Sequence, residues 1–258
     1  MGTYLDAILA AHRERASADR RSHASALARV ADGGEVRDFR GALARPGLGV
    51  VAEIKRRSPS KGDLNAHLDA ALVAKQYEEG GATALSVLTD GPHFGGSADD
   101  LRAARGACDL PVLRKDFTVS ELDVIDARAM GADAVLLIVA ALDDRELRAF
   151  ADLARELGLA ALVETHDEAE VERALAAGAD VVGVNQRDLF TFAVDTDRAV
   201  RVATAIPDGV LKVAESGVRG AEDARRLAAA GYDAVLVGEH LVTSGDPARA
   251  VGELRACS

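Results

Sequence analysis

Several polar side chains stand near the ends of apolar runs, where a buried strand would otherwise contain Val, Ile or Leu. Glu53 and Lys55 lie two residues apart, and Lys115, Glu164 and Asn185 each end a later run. A buried charge is costly unless it is paired or hydrogen-bonded, so these positions indicate a site. Two acids, two lysines and an amide suit a reaction that donates a proton at one step and removes one at another.

Strand alternation predicts which side chains share a face. The residues expected to share a face are Val51 with Glu53 and Lys55, Leu113 with Lys115, Leu162 with Glu164 and Gly183 with Asn185. Each polar residue also has a simpler interpretation: a structural ion pair for Glu53 and Lys55, a solvated rim position for Lys115, and a helix N-cap or loop brace for Glu164 or Asn185. Their joint occurrence favours one catalytic mouth, in which opposed charges shift pKa values.

Two glycine-containing segments predict an anion site. The first contains Glu215, Ser216 and Gly217, and the second contains Gly238 and Glu239. Glycine lets the backbone approach a ligand closely, and the helix start that follows offers free N–H groups. One glycine after a strand is weak evidence, because turns need glycine anyway. A pair in the last two strand–helix loops is where barrels often bind phosphate.

The elements that position these residues follow one alternating pattern. Short apolar runs, typical of strands buried on both faces of a parallel sheet, are Val50–Ile54, Ala84–Leu88, Pro111–Leu113, Ala134–Val139, Ala160–Val163, Val181–Val184, Val210–Val213 and Ala234–Val237. The stretches between them, such as Asp143–Leu157 and Asp167–Ala177, have the spacing of helices packed on one face.

A sequence repeat indicates how many units there are. Gly-Ala-Thr, Gly-Ala-Asp, Gly-Ala-Asp and Gly-Tyr-Asp begin at Gly81, Gly131, Gly178 and Gly231, each glycine ending a helical pattern. A spacing of roughly 50 residues is two strand–helix units, which predicts eight units and a single-domain (β/α)8 TIM barrel. A doubly wound open sheet is the alternative.

The first 45 residues lie outside this pattern. Residues 1–45 are expected to form an N-terminal helical extension that closes one end of the barrel, which spans residues 46–258. The helical spacing in this segment is carried by Leu5, Ile8, Leu9 and His12.

Composition excludes several classes of partner. The 258 residues include 31 basic and 42 acidic side chains, a net charge of −11, which argues against nucleic acid and anionic membrane surfaces. The longest apolar run, Ala134–Leu142, is too short to span a bilayer.

Cys108 and Cys257 form no CxxC pair, and residues 1–6 do not resemble a secretory signal. We therefore expect a cytoplasmic monomer that binds a small molecule.

The loop after the first strand, Arg56–Gly62, is basic within an acidic protein. It could clamp an anionic group of a substrate or be an ordinary solvated loop. Its serine, proline and glycine content favours a mobile flap.

These segments together resemble one known family. Val51–Gly62 looks like the signature of indole-3-glycerol phosphate synthases. Further segments resemble the same family in the same order: Ser86–Asp90, Phe94–Ser97, Leu113–Phe117, Leu162–Glu164, Gly183–Asn185, Glu215–Val218 and Val237–Glu239. The resemblance covers the chain from about residue 40. Gln186 and Thr165 depart from the familiar pattern, beside the charged residues.

The resemblance implies a (β/α)8 lyase of tryptophan biosynthesis that uses no metal or organic cofactor. Its substrate would be 1-(2-carboxyphenylamino)-1-deoxyribulose 5-phosphate, which is closed to indole-3-glycerol phosphate with loss of carbon dioxide and water. Two alternatives remain: another phosphosugar barrel, such as an isomerase, and a catalytically silent barrel that binds a phosphorylated metabolite. The Glu53, Lys55, Lys115 and Glu164 set points away from both.

The resemblance also implies roles. Lys115 would be the general acid in ring closure, and Glu164 would transfer a proton in the later dehydration. Lys55 would contact the substrate and is the other candidate for dehydration, so the division between Lys55 and Glu164 stays open. Glu53 would hold and charge-balance the lysines, and Asn185 would orient the anilino part.

Binding roles are implied for a second set of residues. Ser216, with the backbone of Gly217, Gly238 and Glu239, would bind phosphate or sugar hydroxyls, and Glu215 is grouped with them. Ser58 and Arg187 would lie near the anthranilate carboxylate and the rim of the site.

Overall fold

Eight parallel strands form a closed barrel in the computed structural model, which describes residues 4–59, 61–188 and 192–256. The strands are β1 (Gly49–Ile54), β2 (Ala84–Leu88), β3 (Val112–Lys115), β4 (Ala134–Ile138), β5 (Ala160–Thr165), β6 (Val181–Asn185), β7 (Leu211–Glu215) and β8 (Ala234–Val237). Each strand pairs with its neighbours in the sequence, and β1 also pairs with β8. This closure confirms the (β/α)8 barrel and excludes the doubly wound open sheet.

Helices surround the barrel and extend it at the N-terminus. They are α1 (Tyr4–Ala18), α2 (His23–Leu27), α3 (Phe39–Leu43), α4 (Ala70–Glu79), α5 (Gly91–Phe94), α6 (Ala98–Ala107), α7 (Glu121–Met130), α8 (Asp144–Glu156), α9 (Glu168–Ala176), α10 (Arg198–Val202), α11 (Ala221–Ala229), α12 (Glu239–Val242) and α13 (Pro247–Arg255). Short 3-10 helices cover Val30–Gly33, Val139–Ala141 and Ala203–Ala205, and a small hairpin pairs Arg57–Ser58 with Gly62–Asp63.

The barrel strands bury both of their faces, as their apolar sequences require. Val51, Leu113 and Leu162 pack in the interior of the barrel. Ala52 and Ile54, which alternate with Val51 along β1, pack in the layer between the strands and the helices. Because alternation continues to the strand ends, the inward face of each strand fixes which polar residue reaches the mouth.

The Gly-Ala-Thr/Asp repeat ties the strands together at their N-terminal ends. Its glycines have positive φ angles, as expected for residues that follow a helix. In three of the four copies, the side chain of the third residue accepts a hydrogen bond from a backbone N–H at the start of another strand: Thr83 from β1 at 3.1 Å, Asp133 from β3 at 2.8 Å and Asp233 from β7 at 2.8 Å. The repeat therefore has a structural role at the end opposite the predicted site.

The N-terminal extension contacts both ends of the barrel, whereas the sequence predicted closure of one. Phe39 and Leu43 of α3 are buried with Ala84 and other residues near the strand starts. At the other end, His12 of α1 lies 3.0 Å from Asp90, which follows β2. The extension therefore closes the floor of the barrel and also borders its mouth.

Two predictions from the sequence concern the cysteines and membrane-spanning segments. Cys108 is a free, buried thiol, and Cys257 lies outside the described residues. Within residues 4–59, 61–188 and 192–256, no helix has the length and apolar character of a membrane span.

The hydrogen bonds at the N-terminal ends of the strands predict the effect of replacing Asp133. This buried carboxylate accepts hydrogen bonds from the N–H groups of Arg37 and Val112 and pairs with the Arg105 guanidinium. Asp133→Ala leaves the guanidinium buried without its partner, so we expect a loss of about 3–5 kcal/mol in the free energy of unfolding, measured with urea. The exposed Asp99→Ala is the control and should cost less than about 1 kcal/mol. Equal losses in the two variants would contradict this role for Asp133.

Candidate functional site

A cavity of about 480 Å³ opens at the C-terminal ends of the barrel strands. Every residue proposed for the site lines it: Glu53, Lys55, Ser58, Lys115, Glu164, Asn185, Arg187, Glu215, Ser216, Gly217, Gly238 and Glu239. The size suits a small organic molecule. The cavity lies at the end of the barrel where the strand–helix loops converge.

A largely buried cation, the Lys115 ammonium, lies between carboxylates of two other strands. The Lys115 ammonium, at the end of β3, lies 3.2 Å from Glu164 Oε2 of β5 and 3.3 Å from Glu215 Oε2 of β7. In the same cavity, the ammonium of Lys55, the residue that follows β1, lies 2.5 Å from Oε1 of Glu53 on β1. Inward-facing positions of four strands thus bring two ammonium groups and three carboxylates into one cavity.

Lys115 remains an ammonium because of its acidic neighbours. Burial alone lowers the pKa of a lysine, but the charges of Glu164, Glu215 and Glu53 outweigh it and hold the pKa of Lys115 above its ordinary value. A proton held this firmly is transferred only to a strong base, such as the alkoxide that develops when a carbonyl is attacked. The same positive charge stabilises that oxygen electrostatically.

The two carboxyl groups that contact Lys115, those of Glu164 and Glu215, have pKa values shifted in opposite directions. Burial favours the neutral form of Glu164, but the positive charges of Lys115 and His166 outweigh it and lower the pKa of Glu164. For Glu215, burial raises the pKa to about 8, with the Glu164 charge acting in the same direction against Lys115. When the surroundings of two neighbouring carboxyl groups separate their pKa values, the group with the lower pKa can act as a base and the one with the higher pKa as an acid. Glu164 is therefore the ionised member at neutral pH.

The position of Glu215 differs from the expected grouping with the phosphate residues. Its carboxylate lies in the charged cluster against Lys115, and only the residues after it continue into the glycine-containing loop. The cause is the alternation of side chains along a strand: Glu215 lies two positions after the buried Val213 of β7 and therefore also faces inward.

Two glycines leave the space that the carboxylates occupy. A methyl group at Gly183 would overlap Glu215 Oε1, and one at Gly238 would overlap Glu53 Oε1. The φ of Gly238 is −119°, which other residues adopt, so volume is what requires glycine there. Gly238 therefore has a structural reason to be glycine besides the proposed role toward phosphate.

The loop after β7 has a strained backbone that a buried amide holds in place. Ser216 and Gly217 have φ angles of 65° and 76°, and positive φ is costly for serine. Gln186 Nε2 donates a hydrogen bond of 2.6 Å to the Ser216 carbonyl, and the Gln186 N–H donates to the carbonyl of Glu215. Gln186 is 2% exposed. This side chain thus fixes the turn that presents Ser216 and Gly217 to the cavity.

The basic loop after β1 is partly neutralised by ion pairs. Arg56 pairs with an aspartate of α6, and Lys61 pairs with Glu239, which joins this loop to the one after β8. Ser58 lines the cavity, and Ser60 lies outside the described residues. The mobile flap stays a prediction.

The segment that follows β6 fixes the orientation of the Asn185 amide. Its Oδ1 accepts a hydrogen bond of 3.0 Å from the Arg187 N–H, and the Arg187 guanidinium donates to the Phe192 carbonyl. Asn185 is buried. The amide therefore has a defined orientation at the cavity wall.

The apolar walls of the cavity were not predicted as part of the site. Phe94, Phe117, Leu136, Val218 and Leu236 line it, and the rings of Phe94 and Phe117 lie 6.3 Å apart between centroids. Both phenylalanines fall within segments of the family resemblance, which was the available signal. Their chemistry suits the planar ring of an aromatic ligand.

One cluster at the edge of the cavity, where Asp90 and Asp116 line it, has the composition of a metal site. Ligand atoms of His12, Asp90 and Asp116 all lie within 4.8 Å of one another. Their carboxylates already accept hydrogen bonds from the His93 N–H at 2.7 Å and the Arg114 guanidinium at 2.9 Å. The nearby guanidinium disfavours a second cation, so this cluster is best described as a polar brace between α1 and the barrel.

The fold and the site together define a class of protein. A closed (β/α)8 barrel holds three carboxylates and two ammonium groups in one cavity at the C-terminal ends of its strands. This arrangement is that of an acid–base enzyme of the barrel class.

Comparison with known proteins identifies the family. A sequence model described as "Indole-3-glycerol phosphate synthase" matches residues 5–254. A protein of that name from Nocardioides sp. is 56% identical over 238 residues, covering 92% of this chain and 91% of the relative. "Indole-3-glycerol phosphate synthase 2" of Streptomyces coelicolor is 57% identical over 211 residues, 82% of each chain. The chain belongs to the indole-3-glycerol phosphate synthase family, carboxy-lyases of tryptophan biosynthesis.

Similarity to solved structures supports the fold alone. A 3-hexulose-6-phosphate synthase superposes with a TM-score of 0.66 at 19% sequence identity, covering 81% of this chain and 99% of that one. The barrel architecture is shared at this level of identity.

The raised pKa of Glu215 predicts how stability depends on pH. The folded state retains a proton on Glu215 up to about pH 8, whereas the unfolded chain releases it near the ordinary glutamate value. This contribution to stability is complete below about pH 4.3 and is lost as the pH rises through about 8.

We expect Glu215→Gln to remove that dependence. Relative to the variant, the wild type should lose unfolding free energy by up to about 1.4 kcal/mol per pH unit between pH 5 and 8, measured by urea unfolding at several pH values. The surface variant Glu222→Gln serves as the control. A constant difference between wild type and Glu215→Gln across this range would contradict the assigned protonation.

Proposed function

We propose that this chain converts 1-(2-carboxyphenylamino)-1-deoxyribulose 5-phosphate to indole-3-glycerol phosphate, with loss of carbon dioxide and water. The observation that carries the proposal is the Lys115 ammonium between the carboxylates of Glu164 and Glu215 in a cavity with an aromatic wall. Family membership supports the same reaction.

In ring closure, Lys115 acts as the general acid. The substrate carbon that bears the carboxylate attacks the ketone carbon, and the ketone oxygen takes the proton of Lys115 as it becomes an alcohol. Carbon dioxide then leaves and restores the ring electrons. The raised pKa of Lys115 supports this order, because its proton moves only when the oxygen has become strongly basic.

In dehydration, Glu164 acts as the base and Lys55 as the acid. Glu164 removes a proton from the new five-membered ring, and Lys55 protonates the departing hydroxyl, which leaves as water. Support for this division comes from the lowered pKa of Glu164 and from the location of Lys55 directly after β1, where it is paired with Glu53 rather than with Glu164. Asn185 orients the anilino nitrogen.

The glycine-containing loops hold the phosphate. Ser216 and Gly217 lie on one loop, and Gly238 and Glu239 lie on the next, where barrels commonly bind phosphate. Lys61 offsets the negative charge of Glu239 there. Anchoring the phosphate restricts the flexible sugar chain to geometries in which the reacting carbons meet. Ser58 and Arg187 contact the carboxylate of the anthranilate part at the rim.

We also propose that the enzyme works as a cytoplasmic monomer. The free Cys108 thiol is consistent with a reducing compartment. Among the described residues, only four large apolar side chains are exposed, namely Tyr4, Leu27, Leu72 and Val194.

Lys115→Ala tests the reaction directly. We expect turnover to fall by at least about 1,000-fold, because general acid catalysis and charge stabilisation are both lost. Product is followed by indole fluorescence, which stands out because the chain has no Trp and only three Tyr. Inorganic phosphate should still bind Lys115→Ala, which separates lost chemistry from lost folding, and the exposed Lys75→Ala should keep full activity. Wild-type protein that gives no indole signal would refute the proposed function.

Gln186→Ala tests the phosphate loop. Without the hydrogen bond to the Ser216 carbonyl, the strained turn should relax and weaken phosphate binding. We expect KM to rise by about 5–10-fold, corresponding to about 1 kcal/mol, while kcat changes less than about threefold. Steady-state kinetics and inhibition by inorganic phosphate measure the two effects, with Gln76→Ala as the control. Unchanged KM and phosphate inhibition would show that this loop does not bind the phosphate.

A further inference from the structure

His166 is a buried titratable residue with no role in the reaction as proposed. It follows β5 directly, and its side chain is 13% exposed. The His166 Nε2 lies 3.8 Å from Glu164 Oε1. Neither atom has a hydrogen-bond partner among residues 4–59, 61–188 and 192–256. Two buried polar atoms therefore face each other without another partner, and one belongs to the proposed base.

The other side of the imidazole is held by a second carboxylate. His166 Nδ1 lies 3.0 Å from Glu170 Oε2, near the start of α9, and the same oxygen accepts the His166 N–H at 2.7 Å. The ring thus lies between Glu164 and Glu170. Such a position fixes the orientation of the ring and favours the imidazolium form.

The charged groups around the ring come from three elements. Glu164 of β5 and Glu170 of α9 favour a positive imidazole, and Arg198 of α10 opposes it. Arg198 itself lies 3.8 Å from the Asp188 carboxylate, which reduces its influence. Burial lowers the pKa of His166, but the two glutamates outweigh it and leave the pKa above its ordinary value.

The two oxygens of Glu164 have different surroundings. Oε2 accepts a hydrogen bond from the Lys115 ammonium at 3.2 Å, and the imidazole of His166 lies 3.8 Å from Oε1. The Asn185 amide also hydrogen-bonds to this carboxylate but carries no charge. Glu164 is 1% exposed, and burial alone would favour its neutral form, which cannot act as a base. A second positive charge beside Oε1 counters that effect without approaching the reacting atoms, because His166 does not line the cavity.

We propose that His166 is a positioning residue that keeps Glu164 ionised, acting as an imidazolium oriented by Glu170. The inference deepens the proposed function and rests on the role of Glu164 as the base. It predicts that the acidic side of the pH dependence of kcat is set in part by a residue that never contacts the substrate.

His166→Asn tests the inference through the pH profile of kcat. Loss of the positive charge should raise the pKa of Glu164 and move the acidic limb of the profile upward by about one pH unit, which is about a tenfold lower kcat at pH values below the limb. At pH 9 the variant should approach the wild-type rate, since Glu164 is ionised in both. A purely structural defect would instead lower kcat at every pH. The exposed His67→Asn is the matched control.

Two further variants separate the inference from the proposed function. Glu170→Gln should shift the limb in the same direction by a smaller amount, and NMR titration should show a lower pKa for His166 in Glu164→Gln than in wild type. If Glu164→Gln is inactive but the His166→Asn profile matches wild type, the inference fails while the proposed function stands. If Glu164→Gln turns over normally, the proposed role of Glu164 fails.

Discussion

The attraction between one buried ammonium and the carboxylates around it is the interaction on which the site depends. Burial lowers the pKa of Lys115, but the charges of its acidic neighbours, Glu164 first, outweigh it; Lys115 in turn lowers the pKa of Glu164 and opposes the rise in the pKa of Glu215. Below about pH 8 Glu215 carries a proton, so Lys115 balances Glu164 while Lys55 pairs with Glu53. The cluster is thus close to neutral although every member is charged or acidic. This balance lets a reactive cation remain in a cavity walled partly by apolar residues.

The barrel makes this arrangement possible because side chains alternate along each strand and because glycines leave space between the charged groups. Lys115, Glu164 and Glu215 are the last inward positions of three alternate strands, so closure of the sheet directs all three side chains toward the same axis. Gly183 leaves space for a carboxylate oxygen of Glu215, and Gly238 leaves space for one of Glu53. Below this layer the interior is apolar, and hydrogen bonds at the opposite end tie the strands together. Stability and chemistry are therefore separated along the barrel axis.

Much of this could be predicted from the sequence because it depends on local pattern. Apolar runs located the strands to within a few residues, and Asp143 and Asp167 do cap the helices expected to begin beside them. Alternation also identified the inward face of each strand. Distances across the barrel carry no such local signal, so the contact between Glu215 and Lys115 was not anticipated. The same holds for Gln186, which reaches from one loop to the carbonyl of another, and for α1 at the mouth of the barrel.

The state of the Lys115 side chain tests this account most directly. NMR of the lysine Nζ atoms, assigned with Lys115→Met, reports whether the group is an ammonium or an amine at each pH. The account predicts that Lys115 stays protonated well beyond the ordinary lysine pKa of about 10.4 and that Glu164→Gln lowers its pKa. Deprotonation of Lys115 at or below that ordinary value in the wild-type protein would contradict it.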